Sequence, residues 1–149
     1  MQPARRLGPE WKRRCKPKAT AWPAAPCAHK VQGFLAERPS IVAGDFNNNV
    51  FWHRPGWRIN HANAVATLQK VGLVSAYHET HGELQGSETE PTLYWRDRKK
   101  DGPTYHIDYV FLPSQWLGQV QELSVGTFED WCGAGLSDHV PIVLDVKPH

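Results

Sequence analysis

No stretch of this 149-residue chain approaches the ~20 consecutive apolar residues that a membrane span needs. The first residues carry charge and proline with no apolar core behind them, so no secretory signal is visible. Cysteine is scarce. Cys15, Cys27 and Cys132 are an odd number without zinc-like spacing, which argues against a disulfide framework. They are read as thiols of a reducing, cytoplasmic setting. Acid is scarce at one end only. Residues 1–30 hold eight basic residues against Glu10 alone, a net +7, and the remainder holds nine against fourteen acids, a net −5. The overall +2 therefore hides a basic N-terminal arm on a mildly acidic body, and such a body suits a site built from carboxylates around a cation.

What is present suffices for one domain. Hydrophobic residues make up 40% of the chain, and seven tryptophans help a small core to bury area. Residues 1–28 stand apart. Pro3, Pro9, Pro17, Pro23 and Pro26 interrupt every helical register, and the segment is expected to be disordered: a solvated tail, an arm that touches nucleic-acid phosphates, or a stretch foreign to the domain. The folded domain is expected over residues 29–149.

The organising stretch is Ile41–Asn47, an apolar run ending in Gly44, Asp45, Phe46 and Asn47. It predicts a buried strand whose C-terminal end, where α/β sheets place their ligands, presents a carboxylate beside a carboxamide. The segment 29–37 before it predicts the last turns of a helix. The loop 48–58 after it carries Arg54, Arg58 and His53, which could meet an anionic ligand, while Phe51, Trp52 and Trp57 are read as covering the sheet edge. Residues 60–71 predict a helix capped by Asn60 and stopped by Gly72. His78 and His81 are three apart but lack a third metal ligand at recognisable spacing. Residues 79–90, with four glutamates, read as an exposed loop.

Thr92–Trp95 and Tyr105–Phe111 predict a β-hairpin turning at Asp101-Gly102. Strand alternation puts Tyr105, Ile107, Tyr109 and Phe111 on one face and His106, Asp108 and Val110 on the other, so Asp108 is a carboxylate inside an apolar strand. The basic cluster around Arg96 is read as a solvated hairpin tip that could also steer a polyanion. Further strands are predicted around Val120–Val125 and over Ile142–Val146, with Ser137-Asp138-His139 on the loop just before the last.

Three polar groups thus sit at sheet ends: Asp45 with Asn47, Asp108, and Asp138 with His139. A histidine among carboxylates equips a site for general acid–base chemistry, and carboxylates without cysteine ligands suit Mg²⁺ or Mn²⁺. Together they suggest hydrolysis at phosphorus. Gly44-Asp45-Phe46-Asn47, then His106-Ile107-Asp108-Tyr109, then Ser137-Asp138-His139-Val140-Pro141, in this order and with Pro91-Thr92 opening the hairpin, resemble the endonuclease/exonuclease/phosphatase superfamily. The resemblance covers residues 29–147 and corresponds to the C-terminal half of that fold.

The resemblance implies an α/β fold, part of a four-layer α/β/β/α sandwich with a mixed, largely antiparallel sheet. It implies a divalent-metal-dependent phosphoesterase, with a phosphate ester as substrate and nucleic acid among the candidates. Asp108 would hold the imidazole of His139, and His139 would contact the attacking water or the phosphate. Asp45 would move a proton, Asn47 would donate to the phosphoryl oxygens, and Asp138 would bind the metal. Arg54, Arg58 and Arg96 are the candidate substrate-binding cations. Nothing in residues 1–40 matches the superfamily's N-terminal metal-ligand glutamate, since the acids there are Glu10 and Glu37. The alternative expectation is therefore a truncated, catalytically incomplete fragment that needs its missing half or a partner. One inner sheet face would then be exposed, which invites self-association.

Overall fold

The computed structural model describes residues 32–54, 56–57, 60–95 and 99–147. The proposed basic arm, residues 1–28, lies outside them, as do Arg58 and Arg96. The architecture is mixed α/β, with seven short strands among the described residues and antiparallel pairing throughout.

The central element is strand β5 (Asp108–Pro113), six residues whose aromatic and aliphatic side chains suit a strand covered on both faces. Strand β1 (Val42–Asp45) pairs along one edge of β5 and strand β2 (Leu73–Ser75) along the other, giving the order β1-β5-β2. Tyr109 and Phe111 point to one side of β5 and are fully buried there. They meet Phe46, Leu73, a helical turn over residues 32–37 (α1) that contributes Leu35, and helix α2 (His61–Gln69). Helix α2 buries His61, Val65 and Leu68, a stripe at i, i+4 and i+7. Its start follows the expectation, because the Asn60 side chain accepts the Asn63 amide at 2.9 Å. Gly72, at φ +80°, turns the chain back into β2 in a conformation that costs a side-chain-bearing residue.

The alternate residues of β5, Val110 and Leu112, face the opposite way. They pack with Ala76 and Tyr77 of helix α3 (Ala76–His81) and with strands β6 (Val120–Val125) and β7 (Ile142–Val146). β6 and β7 form their own antiparallel pair with a bulge near Val120, within the ranges their patterning predicts. Both faces of β5 are therefore covered. Apolar side chains exposed elsewhere include Phe34, Phe51, Leu84 and Leu136, with Ile41 beside β1 and Val143 on β7.

Two expectations are corrected here. The stretch Ile41–Asp45 is not a buried strand. It forms the sheet's edge, with Ala43, Gly44 and Asp45 exposed. The predicted strand Tyr105–Phe111 is split. Strand β4 (Thr104–Tyr105) pairs with strand β3 (Leu93–Tyr94), and the chain then leaves that hairpin at 106–107 to enter β5 and pair with β1. Thr92 makes the break possible. Its buried hydroxyl accepts the amides of Ile107 at 3.0 Å and Asp108 at 3.1 Å, replacing ladder bonds the hairpin would otherwise supply. A short helix, α4 (Phe128–Trp131), packs over Tyr94, Cys132 and Val140.

Candidate active site

Asp45 and Asp108 face each other directly across the β1–β5 pair. Opposed residues of an antiparallel pair share a face, so both carboxylates emerge on one side of the sheet. Just past Asp45 the chain turns sharply. Asn47 adopts φ +50°, unique to it among the described non-glycine residues and a region asparagine tolerates better than most. The turn is closed by Asp45 itself, whose Oδ1 accepts the Asn47 amide at 2.7 Å and whose Oδ2 accepts the Asn47 carboxamide at 3.3 Å. The carboxylate and the carboxamide are adjacent, as expected, but an Asx-type turn rather than strand alternation brings them together.

Asp108 opens β5, and its Oδ2 lies 2.8 Å from His139 Nδ1. A carboxylate can only accept, so the proton of the neutral imidazole resides on Nδ1, which donates to Asp108 and leaves Nε2 as the basic nitrogen. Both side chains are partly exposed, at 30% for His139 and 20% for Asp108, so the pair is reachable from solvent. His139 is held by an isolated antiparallel bridge to Leu93, made of two backbone hydrogen bonds. The Tyr94 amide donates to the Asp138 carbonyl at 2.8 Å, and the Val140 amide donates to the Thr92 carbonyl at 2.9 Å. The His139 amide also donates to Ser137 Oγ at 2.9 Å. Thr92 thus secures both members of the pair, Asp108 through its hydroxyl and His139 through its backbone.

Asp138 is exposed at the neighbouring position. Among the described residues no group of three or more His, Cys, Asp or Glu side chains converges as a metal cage. The donor set fits a hydrated hard cation held by one or two carboxylates and substrate oxygens, the usual condition of Mg²⁺, and does not fit an all-protein cage. Arg54 is not directed at this pair by any observed contact. Its guanidinium carbon lies 5.3 Å from the centre of the Trp57 ring, a cation–π arrangement. His78 and His81 do not form a metal pair, since each is engaged elsewhere, His78 with Ser75 and Glu88, and His81 with the Tyr77 carbonyl and Glu90.

A buried polar network lies beside these elements where an exposed loop was expected. The Glu88 side chain is only 4% exposed. Its carboxylate accepts from the Gly86 amide at 2.9 Å, from His78 Nε2 at 3.1 Å and from Asn49 Nδ2 at 3.2 Å. Burial alone would raise its pKa, but the bonds from His78, two backbone amides and Asn49 outweigh it and hold the group at about 2. The chain of donors is directional: His61 Nε2 donates to Gln85 Oε1 at 2.6 Å, Gln85 Nε2 to His78 Nδ1 at 3.2 Å, and His78 Nε2 to Glu88. His106 is buried too and donates from Nδ1 to the Glu90 carbonyl at 2.7 Å. Burial lowers the pKa of both His61 and His106, and it pushes the Tyr77 phenol up to about 12. No motif marks this network.

No family model matches the chain, and no curated protein matches it.

Proposed function

We propose that this chain is a divalent-metal-dependent hydrolase of phosphate esters, built on the C-terminal half of an endonuclease/exonuclease/phosphatase-type α/β/β/α sandwich. The observation that carries this reading is the Asp108–His139 pair, 2.8 Å apart and reachable from solvent, with Asp45 directly across the strand. What supports it further is the antiparallel pairing, with helix α2 on the Tyr109 and Phe111 side of β5 and strands β6 and β7 beside helix α3 on the other.

In this reading Asp108 keeps the Nδ1 proton in place, and His139 Nε2 accepts the proton of the attacking water. Asp45 would handle the proton at the leaving oxygen. The exposed Asn47 carboxamide donates to the phosphoryl oxygens as negative charge grows there. Asp138 would hold Mg²⁺ or Mn²⁺, and a bound cation supplies neutralisation of that same charge. Phosphate esters, nucleic acid among them, form the substrate class.

The test is Mg²⁺-dependent hydrolysis of bis-p-nitrophenyl phosphate by the purified chain. We expect His139→Ala to lower kcat by about 10²–10⁴-fold with the fold retained, and chelation to abolish turnover until Mg²⁺ is restored. Retained metal-dependent activity in His139→Ala removes His139 from the mechanism. A second reading is a half-site that works only with a complementing segment or a second copy. It is favoured by β1 being an edge strand with Ile41 half exposed beside it. It predicts a folded but inactive chain.

A further inference from the structure

Asp45 and Asn47 belong to one segment and Asp108 to another, so something must set the spacing between the two. Along β1 the ladder ends at Asp45–Asp108 and is extended by one bond, from the Phe46 amide to the Ile107 carbonyl at 2.9 Å. Beyond that point the chain is in the turn, where the Asn48 carbonyl accepts from the Tyr109 hydroxyl at 3.3 Å, and the next buried residue is Asn49. It is 4% exposed, and its carboxamide is fully used. Nδ2 has two hydrogens and three acceptors within reach, the His106 carbonyl at 2.9 Å, the Tyr109 hydroxyl at 3.1 Å and the Glu88 carboxylate, the one charged partner, at 3.2 Å. Oδ1 accepts the Phe51 amide at 2.9 Å. Asn49 therefore ties the segment two residues beyond Asn47 to the backbone two residues before Asp108. Glu88 is anchored in turn by His78, Gln85 and His61, a line of buried donors reaching helix α2.

We infer that Asn49, held by the buried Glu88 carboxylate, is a positioning residue that sets the separation of Asp45 and Asn47 from the Asp108–His139 pair. The inference rests on the hydrolase reading for its effect on rate, but the brace itself stands on geometry. A charged acceptor suits the role because hydrogen bonds to an ionised partner are about twice as strong as neutral ones. A rigid turn suits it because small displacements of reacting groups are costly, about 100-fold for an error of roughly 1 Å.

Asn49→Asp tests it. The variant keeps the oxygen that accepts from Phe51, removes both donors and sets two carboxylates against each other. Asn49→Asp with Glu88→Gln restores a donor between positions 49 and 88. Two readouts are taken: amide hydrogen exchange at Phe46 and Asn47 against the core amides of β5, and kcat and KM on bis-p-nitrophenyl phosphate. We expect Asn49→Asp to speed exchange at Phe46 and Asn47 at least about tenfold while the β5 core amides keep their protection. We expect kcat to fall about 100-fold with KM within about twofold, and the double variant to recover much of both. Asn49→Ser, which retains an oxygen for the Phe51 amide, takes its place if Asn49→Asp does not fold. Unchanged exchange at Phe46 and Asn47, or equal acceleration at every amide, overturns the brace. So does unchanged kcat in a variant whose exchange has risen. If the unmodified chain lacks activity, the hydrolase reading fails, and the exchange data alone decide whether Asn49 holds the turn.

Discussion

At the scale of single residues, Glu88 is the most consequential side chain outside the candidate site. It is a buried charge satisfied by His78, Asn49 and the Gly86 amide. Truncating it would leave His78 Nε2 and the Gly86 amide without their acceptor, each costing about 1–3 kcal/mol before relaxation, while Asn49 Nδ2 keeps the His106 carbonyl and the Tyr109 hydroxyl. We expect Glu88→Ala to destabilise the fold by about 3 kcal/mol, measured by urea unfolding. The same network makes stability pH-dependent. His61 and His106 are held below the ordinary value of 6.5 by burial, so the unfolded chain binds more protons than the folded one as pH falls. Stability is therefore full above 6.5 and declines as pH drops below it. A second decline follows between 4.5 and about 2, where Glu88 is ionised only in the folded chain. Unfolding midpoints followed from pH 8 to pH 4 should show the first loss, and His61→Phe should shrink it.

Among the elements, helix α2 and the Thr92 junction do different work. The helix is short, and its start depends on Asn60, whose side chain accepts the Asn63 amide and whose own carboxamide donates to the Trp57 carbonyl at 2.9 Å. We expect Asn60→Ala to cost about 1 kcal/mol in thermal unfolding, the ordinary value of a lost N-cap, because the cap lies over a buried stripe that must stay in place. Thr92 is wholly buried and connects β3, β5 and the His139 segment at once. It is the reason a continuous apolar–polar alternation from Tyr105 to Phe111 does not produce a continuous hairpin strand.

For the whole molecule, β5 is the shared wall of two cores. Tyr109 and Phe111 belong to the helix side, and Val110 and Leu112 to the β6–β7 side. Asp108 begins that wall, so its position inherits the rigidity of both cores, whereas Asp45 and Asn47 sit on an exposed edge and depend on a turn. Among the described residues no helix is long and apolar enough to cross a membrane.

Local patterning determined much of this by itself. The Asp–Asn pairing after Gly44, the Asn60 cap, the Gly72 stop and strands β6 and β7 could all be read from the chain, because each depends on neighbours within a few residues or on a simple period. Tertiary structure alone decided the rest. The Asn49–Glu88 contact joins residues 39 apart and no local pattern indicates it, while the Asp108–His139 contact, 31 residues apart, is implied by the motif resemblance and not by spacing. The burial of Glu88, in a segment whose composition reads as solvated, depends on donors from two distant places, His78 of helix α3 and Asn49 beyond β1, besides the Gly86 amide of its own loop. The exposure of Ile41–Asp45 depends on its place at the sheet edge, which apolar composition does not encode. Spacing along the chain identifies which groups can do chemistry, but only packing determines which of them meet and which are kept from water.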